Sequence, residues 1–250
     1  MEKSVHMGTN RTGIDMSPLQ SKAMASGAAA ATPTGGSEAE LHELDKEYMR
    51  DAGGLGSVPL PGTLRGAFKA MKDKLSGQHT EALLNKMGER LAFERSGVRI
   101  YEGFIAKCEA AAASGKLPAP VDLDLLRQFC IEEAQHFELL RDVLDGLGAD
   151  ATAQTPDADV AGVASLGLMK VVQDPRTSVT QSLEAMLSIE LTDNAGWELL
   201  VQLARAMTMD EIGDRFQRAE EQEDRHLATI RQWYEAAVCE EAGLAPARAH

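Results

Sequence analysis

The chain has 250 residues and carries a net charge of −14, with 44% apolar and 4% aromatic residues. So acidic a protein repels phosphate groups, which argues against nucleic acid and anionic membranes as partners but not against divalent cations. Ala, Leu and Met are common, which favours helix over sheet. The length allows one sizeable core together with an extension.

The N-terminal sequence MEKSVHMGTNR lacks the apolar stretch of a secretory signal. No run of the chain approaches the ~20 apolar residues that a membrane-spanning helix needs. We therefore expect a cytoplasmic protein.

Residues 1–77 are predicted to form a flexible N-terminal extension with one or two short helices. One of these begins at the capping-box pair Ser37 and Glu40. Residues 63–75 have the pattern of a basic amphipathic helix. Packing on the outside of the main domain explains that pattern more simply than a lid or an oligomer contact does.

The main domain is predicted over residues 78–243, followed by a tail at 244–250. Apolar residues recur every three or four positions along four long segments, which indicates amphipathic helices. The predicted bounds are 78–113, 121–147, 178–207 and 210–242. The first and last connections are short, whereas the middle one contains a further apolar stretch at 160–172. This order of connections predicts an all-α, antiparallel four-helix bundle with a long crossover between the second and third helices.

Each of the four helices carries a glutamate in the middle of its apolar face. In the second and fourth helices a histidine follows three residues later, on the same face of the next turn. The candidate residues are Glu94, Glu133, His136, Glu190, Glu223 and His226.

Buried carboxylates and imidazoles are costly without partners. Four glutamates meeting in a core would repel one another and would have to protonate. Two divalent cations would cancel their charge, and carboxylate oxygen and imidazole nitrogen both ligate first-row metals. The pattern therefore predicts a dinuclear metal site, and a metal-free polar core is the alternative.

The six residues resemble the ligand set of the ferritin-like di-iron carboxylate proteins, over about residues 78–242. The second Glu-x-x-His motif makes the chain more similar to bacterioferritins, rubrerythrins and di-iron oxidases than to storage ferritins. The resemblance implies a ferritin-like bundle holding two iron ions, or a manganese–iron pair. It implies that Glu133 and Glu223 bridge or chelate the metals and that His136 and His226 are terminal ligands. The single glutamates of the other two helices, Glu94 and Glu190, complete the set.

The resemblance also implies that Glu132 and Gln222, each just before a ligand glutamate, hydrogen-bond to a ligand histidine. A solvated helix face explains these two residues nearly as well. Asp193 stands near the position of an extra acidic ligand in rubrerythrins but has a shorter side chain. Tyr101, two turns after Glu94, is either an electron relay or, more simply, a packed core residue, and Trp197 and Trp233 have the same two interpretations.

Three functions are compatible with this pattern. The first is an oxidoreductase that reacts with dioxygen or peroxide, with no catalytic residue beyond the metal ligands. The second is a ferroxidase or iron store built from many copies, and the third is a metal-free helical interaction module. The long extension favours a homodimer over a storage cage. The sequence names no organic substrate or electron donor.

Overall fold

The structure is a computed structural model, and it describes residues 17–30, 37–59 and 80–244. These residues contain seven helices and no strand. The helices are α1 (Pro18–Ala30), α2 (Glu38–Asp51), α3 (Thr80–Ala113), α4 (Leu123–Leu147), α5 (Pro156–Gln173), α6 (Val179–Ala206) and α7 (Asp210–Glu241). None of the described helices is both long enough and apolar enough to cross a membrane.

The chain divides into two compact units, Met1–Gly54 and Leu55–His250. The first unit holds α1 and α2, and neither helix has a buried residue. The predicted capping box is confirmed at the start of α2, where Ser37 and Glu40 exchange side-chain and backbone hydrogen bonds. Helix α1 forms without a buried face because its alanines favour helix. The helix predicted over 63–75 and the boundary at 77/78 lie outside the described residues.

The second unit contains the four long helices α3, α4, α6 and α7. Among these four, helices in contact run in opposite directions. Cys130 Sγ of α4 lies 3.7 Å from the carbonyl oxygen of Val98 in α3. Arg127, which precedes Cys130 in the chain, pairs with Glu109, which follows Val98. The same inverse order of contacts relates α6 to α7, α3 to α6 and α4 to α7. Each of these four helices therefore lies antiparallel to the others of the four that it contacts.

Helix α5 occupies the predicted crossover and packs along the outside of α3. Asp157 near its start pairs with Lys86, and Asp174 just after its end accepts a hydrogen bond from Lys107. The two helices are thus parallel, and α5 carries the chain over about 27 Å, the length of 18 helical residues. It begins four residues before the predicted stretch because Thr155 caps it and Pro156 fits its first turn.

Two apolar clusters fill the core of this unit. One contains Tyr101, Phe104 and Phe129, and the other contains Met87, Leu140 and further buried residues of α6 and α7. Along α4, α6 and α7 the predicted polar positions fall between the residues that enter the two clusters, and along α3 Glu94 lies between Leu91 of one cluster and Ile100 of the other. The packing therefore closes both ends of a polar layer in the middle of the helices.

Candidate metal centre

The structure brings all six predicted site residues into one buried cluster. Their exposure is 2% or less in every case. Glu133, Glu190, Glu223 and His226 offer ligand atoms that all lie within 4.8 Å of one another, a separation that could hold a metal ion. A second group of the same kind joins Glu223 to the two remaining residues, Glu94 and His136. Glu223 belongs to both groups and therefore lies at the centre of the cluster.

Both histidines turn Nδ1 toward the carboxylates. His136 Nδ1 lies 2.7 Å from one oxygen of Glu223 and 3.8 Å from Glu94 Oε2. His226 Nδ1 lies 3.2 Å from the other oxygen of Glu223 and 3.5 Å from Glu133 Oε1. The two carboxylate oxygens of Glu223 thus point to different imidazoles, which is the arrangement expected of a group that can bridge two cations.

The outer nitrogen of each histidine contacts a side chain of the opposite helix. Gln222 Oε1 lies 2.9 Å from His136 Nε2, and Glu132 Oε2 lies 2.7 Å from His226 Nε2. The predicted contacts of Glu132 and Gln222 with the histidines are therefore confirmed, and each crosses between α4 and α7. Because these oxygens accept, a neutral imidazole in either position carries its proton on Nε2 and turns the Nδ1 lone pair to the cluster, as a metal ligand requires, whereas a protonated imidazole also carries a proton on Nδ1.

Aromatic side chains hydrogen-bond the remaining two glutamates. Tyr101 donates its hydroxyl proton to Glu190 Oε1 at 2.6 Å, and Trp197 donates from Nε1 to Glu94 Oε1 at 3.0 Å. Both aromatics are fully buried, so the interpretation as packed residues with satisfied polar groups holds. Trp233 packs in the apolar cluster that contains Tyr101. These bonds leave the second oxygens of Glu94 and Glu190 directed to the cluster.

A buried ion pair that sequence reasoning missed borders the cluster. Arg90 lies under the surface, with Nη1 3.1 Å from Asp193 Oδ1 and Nε 3.4 Å from Glu94 Oε1. Its guanidinium stacks over Phe93 at 4.0 Å from the ring centre. Arg90 stands one turn before Glu94, and this spacing was the signal that could have revealed it. Asp193 itself belongs to a third group of ligand atoms with Glu94 and two central glutamates.

A glycine makes room for one of the central carboxylates. A side chain at Gly97 would begin inside contact distance of Glu133 Oε2, so only glycine lets α3 approach this carboxylate so closely. Among the described residues, Glu133 Oε2 has no hydrogen-bond partner although it is buried. A buried carboxylate oxygen of this kind needs a cation or a proton.

The pKa values in the cluster also indicate that its carboxylates need a cation or a proton. Burial, together with the neighbouring carboxylates, raises the pKa of Glu94, Glu133 and Glu190 well above the ordinary value. Burial also raises the pKa of Asp193, to about 6. Without further positive charge, these carboxyl groups hold protons at pH values where they would otherwise be ionised.

Glu223 and His226 behave as an ion pair within this cluster. Burial opposes ionisation of Glu223, but hydrogen bonds from the two imidazoles outweigh burial and lower its pKa to about 2. Burial likewise opposes protonation of His226, yet the bond to Glu223 and the nearby negative charges raise its pKa to about 9. The imidazole supplies a positive charge at the place where a metal ion could supply one.

The sequence matches no protein-family model, and neither the curated proteins nor the solved structures include a match.

Proposed function

We propose that this protein is a ferritin-like dinuclear metal protein of the oxidoreductase type, reacting with dioxygen or peroxide. The observation that supports it best is the convergence of two imidazole Nδ1 atoms and four buried carboxylates in overlapping groups within one enclosed layer. In a metal-free polar core these carboxylates would have to remain protonated or unpaired. We also infer that α3, α4, α6 and α7 form a ferritin-like four-helix bundle, with α5 as its crossover.

The charges of the cluster fit two divalent cations. The four glutamates carry four negative charges when ionised, and Asp193 is offset by Arg90 at 3.1 Å. Two divalent cations would leave the layer neutral. Iron and manganese both accept carboxylate and imidazole ligands, so the ligand set alone does not choose between two iron ions and a manganese–iron pair.

In the proposed centre, Glu94 and His136 would hold one metal and Glu190 and His226 would hold the other. The central residues Glu133 and Glu223 could be ligands of either metal. A pair of redox-active ions bound there would supply two electrons together to dioxygen or peroxide. The protein's own part is to hold the ligands on rigid helices, to fix the imidazole tautomers and to exclude water with the two apolar clusters.

Oxygen consumption on addition of ferrous ion tests this proposal. We expect the metal-free protein to consume oxygen when ferrous ion is added, and the Glu94→Ala/Glu190→Ala variant to consume it no faster than buffer does. Glu109→Ala/Glu198→Ala is the matched control, because it makes the same two changes at exposed positions of the same helices. Metal uptake with no oxygen or peroxide chemistry would contradict the oxidoreductase assignment.

Size in solution separates an oxidoreductase from an iron store. We propose a dimer, and light scattering should give a mass near twice the 26.9 kDa of one chain. A very large cage that retains many iron ions per chain would favour storage instead. A cytoplasmic location also stays a prediction, which fractionation of the native cells tests.

A further inference from the structure

A polar groove opens on the surface between α4 and α7, beside the candidate metal centre. These two helices pack less closely than α6 and α7 do, and the space between them has a volume of about 470 Å³. Gln222 and His136 line it, together with the half-buried Leu139. Cavities of a few hundred Å³ are the size that accommodates small molecules.

Three arginines line this groove although the chain as a whole is strongly acidic. They are Arg215, Arg218 and Arg225, which recur along one side of α7. In the described part of the chain, the first two have no carboxylate within ion-pair distance, whereas Arg225 lies 3.4 Å from Glu132. Glu221 is the one acidic residue among the described groove-lining residues. The groove therefore concentrates positive charge, and two of its three arginines have no carboxylate partner among the described residues.

The groove also reaches the outer face of a predicted ligand. His136 turns Nδ1 to the carboxylate cluster and Nε2 to Gln222, and both of these side chains line the groove. A molecule bound here would lie against the Gln222 amide and the edge of the imidazole. Only that ring would separate it from the metal centre.

We propose that this groove binds a small organic molecule bearing carboxylate or phosphate groups. Guanidinium groups pair with both oxyanions through parallel hydrogen bonds, and an arginine without a carboxylate partner is free to do so. The Leu139 and Ala219 side chains give the bound molecule an apolar contact. That such a molecule is a substrate of the metal centre rests on the function proposed above, whereas its binding does not.

Calorimetric titration at constant ionic strength tests the groove, with succinate and inorganic phosphate as separate probes. We expect at least one probe to bind the metal-free, full-length protein, and the Arg215→Gln/Arg218→Gln variant to bind it about tenfold more weakly. Arg231→Gln removes one positive charge from an exposed position of α7 outside the groove and should leave affinity unchanged. The tighter probe identifies the oxyanion that the groove prefers.

Three results would overturn the groove proposal. These are no binding of either probe, equal binding by wild type and the double variant, or an equal loss in the Arg231→Gln control. The outcome is separable from the proposed function because the titration needs no metal. Arginine-dependent binding by a protein that never takes up metal would support the groove and reject the metal centre. Metal uptake without probe binding would do the reverse.

Discussion

The two halves of the polar layer have the same ligand types but different surroundings. In the half with His226, the outer imidazole nitrogen contacts the carboxylate of Glu132 at 2.7 Å. In the half with His136, the corresponding nitrogen contacts the neutral amide of Gln222 at 2.9 Å. A carboxylate makes the imidazole more basic than an amide does, so the two halves should bind metal with different strength.

The halves also differ in access and in charge. The imidazole of His136 lines the arginine groove, whereas His226 is completely buried beside Phe129. The ion pair of Arg90 and Asp193 borders the Glu94 side. A repeated Glu-x-x-His motif therefore does not make a symmetric centre. We expect a tighter, enclosed half at His226 and a weaker, more accessible half at His136.

The largest expected effect comes from the residue that both halves share. Glu223→Gln removes the negative charge that each group of ligand atoms shares and replaces one of the two oxygens with an NH2 group, so both metals should be lost and affinity should fall by more than about 100-fold. Metal analysis after dialysis measures this. Glu235→Gln, at an exposed position of the same helix, should keep full occupancy. A Glu223→Gln protein that retains one tightly bound metal would show that the halves are independent.

The next effect should be confined to one half. Glu132→Gln replaces the carboxylate behind His226 with an amide, and we expect affinity there to fall by about 10- to 100-fold. Gln222→Glu makes the opposite change behind His136 and should tighten that half. Manganese titration followed by electron paramagnetic resonance resolves the two binding steps. If both variants shift both steps equally, the proposed asymmetry is wrong.

The four long helices and the six central residues could be predicted from the sequence because both depend on local periodicity. A glutamate interrupting an apolar face is visible without knowing what that face contacts. The burial of Arg90 could not be predicted so directly, since it depends on Asp193 and Gly196 of another helix, where a side chain on the glycine would overlap the guanidinium. The crossed contacts of Glu132 and Gln222 and the arginine groove likewise depend on how α4 and α7 are spaced.

Gly97 offers a smaller, steric test of the same centre. Gly97→Ala should displace Glu133 and weaken metal binding by about tenfold, even though alanine favours helix by about 1 kcal/mol. Gly162→Ala lies in a helix with open space around it, so it should gain the helical preference without losing metal affinity. Parallel calorimetric titrations compare them. Unchanged affinity in Gly97→Ala would mean that Glu133 is not held against α3.

The smallest effect is the pH dependence of the metal-free protein. Carboxyl groups with a raised pKa in the folded state, including Asp193 at about 6, stabilise the fold when protonated and lose that contribution as the pH rises. His226, whose pKa is raised to about 9, also loses its contribution to stability as the pH rises. Glu223, whose pKa is about 2, contributes a constant amount to stability above pH 5. The melting temperature should therefore fall by about 5 °C between pH 5 and 8.

Metal should abolish this decline because it takes the place of the protons. Thermal melts with and without manganese across the same pH range provide the comparison. A metal-free protein whose melting temperature rises steadily from pH 5 to 8 would contradict the assignment of protonated carboxyl groups in the polar layer.

The most direct test of the account is the metal content of the chain. The wild-type protein and the Glu133→Ala/Glu223→Ala variant are purified from cells grown with iron and manganese. The metal content of each is measured by inductively coupled plasma mass spectrometry. We predict about two metal ions per wild-type chain and almost none in the variant. A folded wild-type protein without metal, and a variant of unchanged stability, would contradict the account and leave a metal-free helical module.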